Sequence, residues 1–255
     1  GELGNISVRL KVEDGDRLMV GGFIITGTEA KRVIVRAIGP SLLAAGLSQT
    51  LADPQIDLRD VNGSSVARNA NWRETQASEL LAAGLAPGSE VEPALVQTLG
   101  PGAYTAQVTA EAGGSGVGVL EIYEADQTSA SRLANISTRG VVGSGDEVMI
   151  GGFIARGPGR VRVLVRAIGP SLAQHGISGA LADPSIEIRD SNSALIATNA
   201  DWADTEEAEI QATSLAPANA QEAAAIITVA PGAYTVIVRG SGGTTGIGLI
   251  EVYRL

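Results

Sequence analysis

The heptapeptide RAIGPSL stands at residues 36–42 and returns unchanged at residues 166–172. Working outward, the same duplication appears on both sides. GGF begins at Gly21 and Gly151, and NIS at Asn5 and Asn135. LADP begins at Leu51 and Leu181, and PGAYT at Pro101 and Pro231. Every pair keeps the spacing of Pro40 to Pro170, so neither copy carries an insertion, and close to half of the aligned positions are identical. Self-similarity of this kind marks a duplicated structural unit. The copies are expected at residues 1–125 and 133–255, joined by a short polar linker at 126–132 (DQTSASR). What the copies share is mostly glycine, proline and apolar residues, which is what a backbone plan requires.

Within one copy, short runs rich in β-branched residues alternate with turn residues. Strands are expected near 6–12, 18–26, 32–38, 55–60, 65–69, 94–99, 104–109 and 117–123. Asn62-Gly63 is a hairpin signal between the fourth and fifth, and Pro101-Gly102 turns the chain into the seventh. Residues 73–83 carry good helix formers and stop at Gly84, a natural position for a glycine after a helix. The chain therefore reads as all-β: two tandem jelly-roll-like β-sandwich domains, each with about eight strands and one short helix. An immunoglobulin-like sandwich is the nearest alternative.

Composition narrows the function. The 255 residues carry a net charge of −10, which argues against nucleic acid and against docking on anionic lipid. With no cysteine and a single histidine, thiolate sites are excluded, and a histidine-based triad or metal site would exist in one copy only, since Ala45 stands where His175 does. Ser41 and Ser171 lie in GPSL, without a nucleophile-elbow sequence. The repeated GxG at Gly116 and Gly246 precedes no helix and fails the dinucleotide pattern. Asp60-x-Asn62-Gly63 carries part of a calcium loop without its remaining ligands, and reads as a turn. Three NxS sequons are treated as chance. No catalytic, cofactor or metal residue is assigned, and no apolar run is long enough to span a bilayer as a helix.

Four polar positions stand out because they interrupt strands in both copies: Arg36 with Glu121, and Arg166 with Glu251. They are expected to form a partly buried pair joining strands in each copy. Trp72 and Trp202 follow polar loop residues and serve either to anchor a loop or to stack on a sugar ring. The first strand, with Asn5, Ile6, Ser7, Val8 and Arg9, is the candidate strand to be donated to a neighbour.

The set NIS-R, GGF-I, RAIGPSL, LADP, NANW/NADW and PGAYT…GxG…ExY resembles a repeat of large exported proteins from Verrucomicrobia and related environmental bacteria. The resemblance covers nearly the whole chain in both copies. It implies a tandem β-sandwich without an assigned catalytic role and supplies no catalytic residues. The PGAYT–strand ending also resembles pre-peptidase C-terminal-type sandwiches, over the last two strands only.

These observations lead to the expectation of a secreted, non-enzymatic structural protein, placed outside the cell or on its surface after removal of a signal peptide. It would assemble with itself into a filament or surface layer, its slightly positive mean hydropathy leaving apolar surface for subunit contacts. The alternative is a carbohydrate-binding or adhesive module with the two tryptophans as platform. A polysaccharide hydrolase, using paired carboxylates, is the third reading.

Overall fold

The computed structural model describes residues 2–111, 113–126 and 128–255, with the side chains of Glu2, Ile6 and Ile136 outside the described set. The first copy forms β1 (Glu2–Val12), β2 (Met19–Thr26), β3 (Lys31–Ile38), β4 (Pro54–Arg59), β5 (Ser65–Asn69), α1 (Ala77–Ala82), β6 (Ala94–Leu99), β7 (Gly102–Ala110) and β8 (Gly116–Glu124). The second repeats it with β9 (Arg132–Val142), β10 (Met149–Arg156), β11 (Val161–Ile168), β12 (Pro184–Asp190), β13 (Leu195–Asn199), α2 (Glu207–Ala212), β14 (Ala223–Val229), β15 (Gly232–Gly240) and β16 (Gly246–Arg254).

In the first copy β1 pairs with β8, β2 with β7, β3 with β6 and β4 with β5, all antiparallel. That is a long hairpin of four strand pairs. It is rolled up by two further pairings, β3 with β8 and β4 with β7. The resulting orders, β1-β8-β3-β6 and β2-β7-β4-β5, are those of a jelly roll. The second copy makes the same six pairings.

The two sandwiches are fused. β1 adds to β10 of the other copy, and β9 adds to β2. One eight-stranded layer therefore runs β5-β4-β7-β2-β9-β16-β11-β14 and the other β13-β12-β15-β10-β1-β8-β3-β6, with the bridge Lys11–Val141 between them. A single apolar cluster with residues from both copies fills the space between the layers. The motifs NIS and GGF meet at this seam: Ser7 lies opposite Gly152 and Ser137 opposite Gly22. A Cβ on Gly22 would come within 2.8 Å of the Ser137 Oγ.

Asp126 and residues 128–132 are docked against the first copy, and Arg132 already opens β9. Ser129 and Ser131 are buried, and their hydroxyls donate to Ala30 O and Glu29 O at the β2–β3 turn. Lys31, fully buried, holds the entry to this stretch by donating to Asp126 O at 2.6 Å and facing Glu124 at 3.5 Å. Val161 and Arg254 occupy these two positions in the second copy, so the buried pair belongs only to the crossing between copies.

Sequence pattern accounts for the two kinds of sheet face. β4 alternates, with Ile56 and Leu58 inward and Gln55, Asp57 and Arg59 outward. β3 carries a continuous Val33-Ile34-Val35 because it is covered on both sides. Its outer face packs beneath α1 and Trp72 in a second small cluster with Leu80, Ala94 and Val96. The helix is shorter than the sequence predicts, because the chain first makes a 3₁₀ turn at Trp72–Glu74 and reverses at Gln76, whose φ is 55°.

Glycines in the shared motifs mark close backbone approach. A Cβ on Gly39 would lie 2.1 Å from Leu51 O, and one on Gly116 would lie 2.5 Å from Leu51 N. RAIGPSL, LADP and GxG are thus three sides of one contact. Substituting Gly39→Ala is expected to destabilise the protein by about 1–3 kcal/mol, because the clash is with backbone. Denaturant unfolding checks this.

The outer edge of β6 is closed by a side chain. Gln76 donates to Val96 O at 2.6 Å and accepts from Val96 N at 2.9 Å, imitating a neighbouring strand. Its counterpart Glu206 accepts from Ile226 N at 3.0 Å. A carboxylate cannot return the second bond. Glu206→Gln is expected to stabilise the protein by about 1 kcal/mol, one added hydrogen bond, read as a rise in melting temperature.

Candidate functional site

The strand-interrupting charges meet in register: Arg36 is directly opposite Glu121, and Arg166 opposite Glu251. In each copy the arginine Nε donates to the glutamate Oε2. The remaining nitrogens reach further. Arg36 Nη1 donates to Leu85 O at 2.8 Å and Nη2 to the Tyr123 hydroxyl at 3.3 Å. The Tyr123 hydroxyl donates in turn to Glu121 Oε1 at 2.8 Å. Arg166, Glu251 and Tyr253 repeat the arrangement with Leu215 O. The guanidinium carbon also lies 5.3 Å and 5.1 Å from the ring centroids of Tyr123 and Tyr253, within range of a cation–π contact.

Each cluster is a closed Arg–Glu–Tyr triad that ties the loop after the helix to the outer face of the sheet. Burial opposes the arginine charge, but the adjacent glutamate outweighs it and holds both guanidinium pKa values above the usual arginine range. Burial and then the neighbouring carboxylate push both tyrosine hydroxyls up to about 12.

Two carboxylates not singled out from sequence do comparable work. Glu92 and Glu222 are fully buried. Glu92 accepts from Gly39 N at 2.9 Å, Ser41 N at 2.8 Å, Ser41 Oγ at 2.7 Å and Ser89 N at 3.0 Å. Glu222 accepts from Gly169, Ser171 and Asn219 in the same way. Both oxygens of each are filled by donors, and the carboxylate fixes the GPSL turn. The serine hydroxyl, already donating to that carboxylate, is part of the clamp.

In the second copy these groups line a cleft of about 240 Å³. Arg166 and Glu251 lie along it with Ile168 and Leu249, Ser171 and Glu222 flank it, and exposed His175 stands at its mouth. The polar groups here are bonded to one another, Arg166 to Glu251 and Tyr253, and Ser171 to Glu222. Among the described residues no group of three or more histidine, aspartate or glutamate side chains could hold a metal ion, and no helix is long and apolar enough to cross a membrane.

The tryptophans are not a free platform. Trp72 is only 2% exposed and donates its indole N–H to Ser89 O at 3.1 Å. Trp202 is partly buried against Leu164, Ile210, Ala224 and Ile226. The stacking alternative is corrected by this packing: both indoles brace the covering loops. The strand carrying Asn5, Ser7, Val8 and Arg9 is also placed differently from a donated strand. Both of its edges are occupied within the chain, by β8 and β10.

No family model matches the chain, and no curated protein matches it. Among solved structures, the pre-peptidase C-terminal domain of a Bacillus anthracis collagenase is similar at 14% identity and a TM-score of 0.31, over 47% of this chain and 89% of that one. An Arthrobacter globiformis isomalto-dextranase complexed with panose is similar at 12% identity and a TM-score of 0.25, over 95% of this chain and 36% of that one. A group B streptococcus pilus 2b backbone protein is similar at 10% identity and a TM-score of 0.21, over 92% and 91%. Scores this low carry no functional argument.

Because the folded tyrosines hold their protons more tightly than unfolded ones, their contribution is complete below pH 10 and is lost as pH rises toward 12. Ultraviolet titration is expected to show two of the four tyrosines ionising near pH 12. Tyr123→Phe together with Tyr253→Phe should remove that step.

Proposed function

We propose that this chain is an extracellular structural subunit that assembles with further copies of itself and has no enzymatic role. The observation that supports this most directly is the pair of open sheet edges at opposite ends of the double sandwich. β5 terminates one layer and β13 the other. They are equivalent strands of the two copies, so the subunit has two like ends. Each end has one edge partly covered, at β6 by two bonds from the Gln76 side chain and at β14 by one to Glu206, and one edge strand, β5 or β13, paired on one side only. Exposed apolar side chains gather at the open edges: Val61 and Val66 beside β5, Leu195 and Ile196 on β13. An edge strand with unpaired backbone and apolar neighbours is a template for strand addition. A subunit with two such ends extends in a line.

A second reading, polysaccharide binding, is favoured by one observation. The uncovered outer face of β4, β5 and β7 carries a polar groove lined by Gln55, Asp57, Arg59, Arg68, Gln107 and Thr109, and the equivalent face of the second copy carries another. Retardation of the protein in polysaccharide-containing gels would support that use.

Electron microscopy and light scattering test the leading reading. The native protein is expected to form linear polymers at high concentration. Val66→Lys with Ile196→Lys should leave a monomer with stability within about 0.5 kcal/mol of the parent, since both sites are exposed. A parent protein that stays monomeric throughout overturns the proposal.

A further inference from the structure

The two ends of the double sandwich share a fold but not a charge. Each finishes in an edge strand paired on one side only, β5 in the first copy and β13 in the second. From residue 65 to residue 77 the first copy carries Arg68, Arg73 and Glu74, a net charge of +1. The equivalent residues 195–207 carry Asp201, Asp204, Glu206 and Glu207 and no base, a net charge of −4. These stretches hold the edge strand and the chain that leads from it to Gln76 or Glu206, which covers the edge of the neighbouring layer.

These charges face solvent. Arg68, on the edge strand, is 66% exposed and shares Asp57 Oδ2 with Arg59, so one carboxylate serves two guanidinium groups. Arg73 is 56% exposed, with Glu90 as its partner through Nε. Each arginine has five N–H groups, so both can accept a further carboxylate. At the other end Asp204, Glu206 and Glu207 are exposed and Asp201 is half-buried. None of the four has an ion pair among the described residues. The second copy also has a shared carboxylate, Glu187 with Arg189 and Arg239, but Arg239 lies two strands behind the edge, and Thr198 stands on β13 where Arg68 stands on β5.

We infer that subunits join through unlike ends, the β5 end of one copy docking on the β13 end of the next. This rests on the assembly proposed above and gives it a direction. Val61 and Val66 on one side and Leu195 and Ile196 on the other supply apolar contact to any pairing of ends, so charge makes the choice. Two β13 ends together set four unpaired acids against the same four. Two β5 ends together set Arg68 and Arg73 against the same two arginines. Only the unlike pairing sets arginines against acids. A contact between different surfaces leaves one of each free on every growing polymer, so all subunits point the same way.

Blocking one end at a time tests this. Val66→Glu closes the β5 end and Ile196→Lys the β13 end, each with a charge that the unlike partner repels. Both sites are exposed, so both variants are expected to melt as the parent does. Each alone is expected to be a monomer in light scattering and native mass spectrometry. Mixed, they are expected to give a 1:1 heterodimer through the two ends left open, and nothing longer. Adding Arg68→Thr/Arg73→Ala to the Ile196→Lys chain installs the residues of the second copy, and is expected to weaken that heterodimer about tenfold. A homodimer of either single variant shows that like ends join and overturns the inference. So does a mixture that stays monomeric while the parent polymerises, or a heterodimer that keeps its full affinity without the two arginines. A parent that never polymerises overturns the assembly itself, and the direction with it, so the two failures are told apart.

Discussion

Each layer of this protein exists at its full width because a strand of one repeat hydrogen-bonds to a strand of the other. β1 sits between β8 and β10, and β9 between β16 and β2. In an isolated jelly roll β1 and β2 would be edges, long and rich in apolar residues, with all the hazards of unpaired backbone. Pairing them reciprocally removes two edges from each copy. The glycines of GGF make this possible by letting the serine of the partner strand approach. What duplication of the sequence supplies, in physical terms, is a matching edge at a fixed tether length.

The strands were legible in the sequence to within a few residues because most of them are half-buried and alternate, as Gln55 to Arg59 does. The Arg36–Glu121 contact was legible for a related reason: a charge kept inside an apolar strand in both copies needs a counter-charge on the neighbouring strand. The rest depended on long-range geometry. Tyr123 lies two residues after Glu121 and so on the same sheet face, a spacing that could have placed it in the triad. Glu92 gave no local sign of its role, since the four donors it accepts come from Gly39, Ser41 and Ser89. Trp72 was ambiguous because a polar neighbourhood in sequence, Asn69-Ala70-Asn71, does not report what the ring packs on. The seam itself was invisible, because nothing local tells a strand paired on one side from a strand paired on both.

Two sets of polar residues kept in both copies fasten irregular segments. The Arg–Glu–Tyr triads fasten the covering loops to the sheets, and Glu92 and Glu222 fasten the GPSL turns. In each case the charge is met by opposite charge or by aligned N–H groups, as burial demands. These contacts hold irregular segments in place, where backbone pairing cannot.

Sharing the central strands also couples the two repeats in their loss of structure. When one repeat unravels, β1 and β10, or β9 and β2, lose partners at once, and each layer is left with a fresh edge down its middle. Neither half keeps all of its strand pairs and core contacts once its neighbour opens. The stability of each repeat is therefore coupled to that of the other.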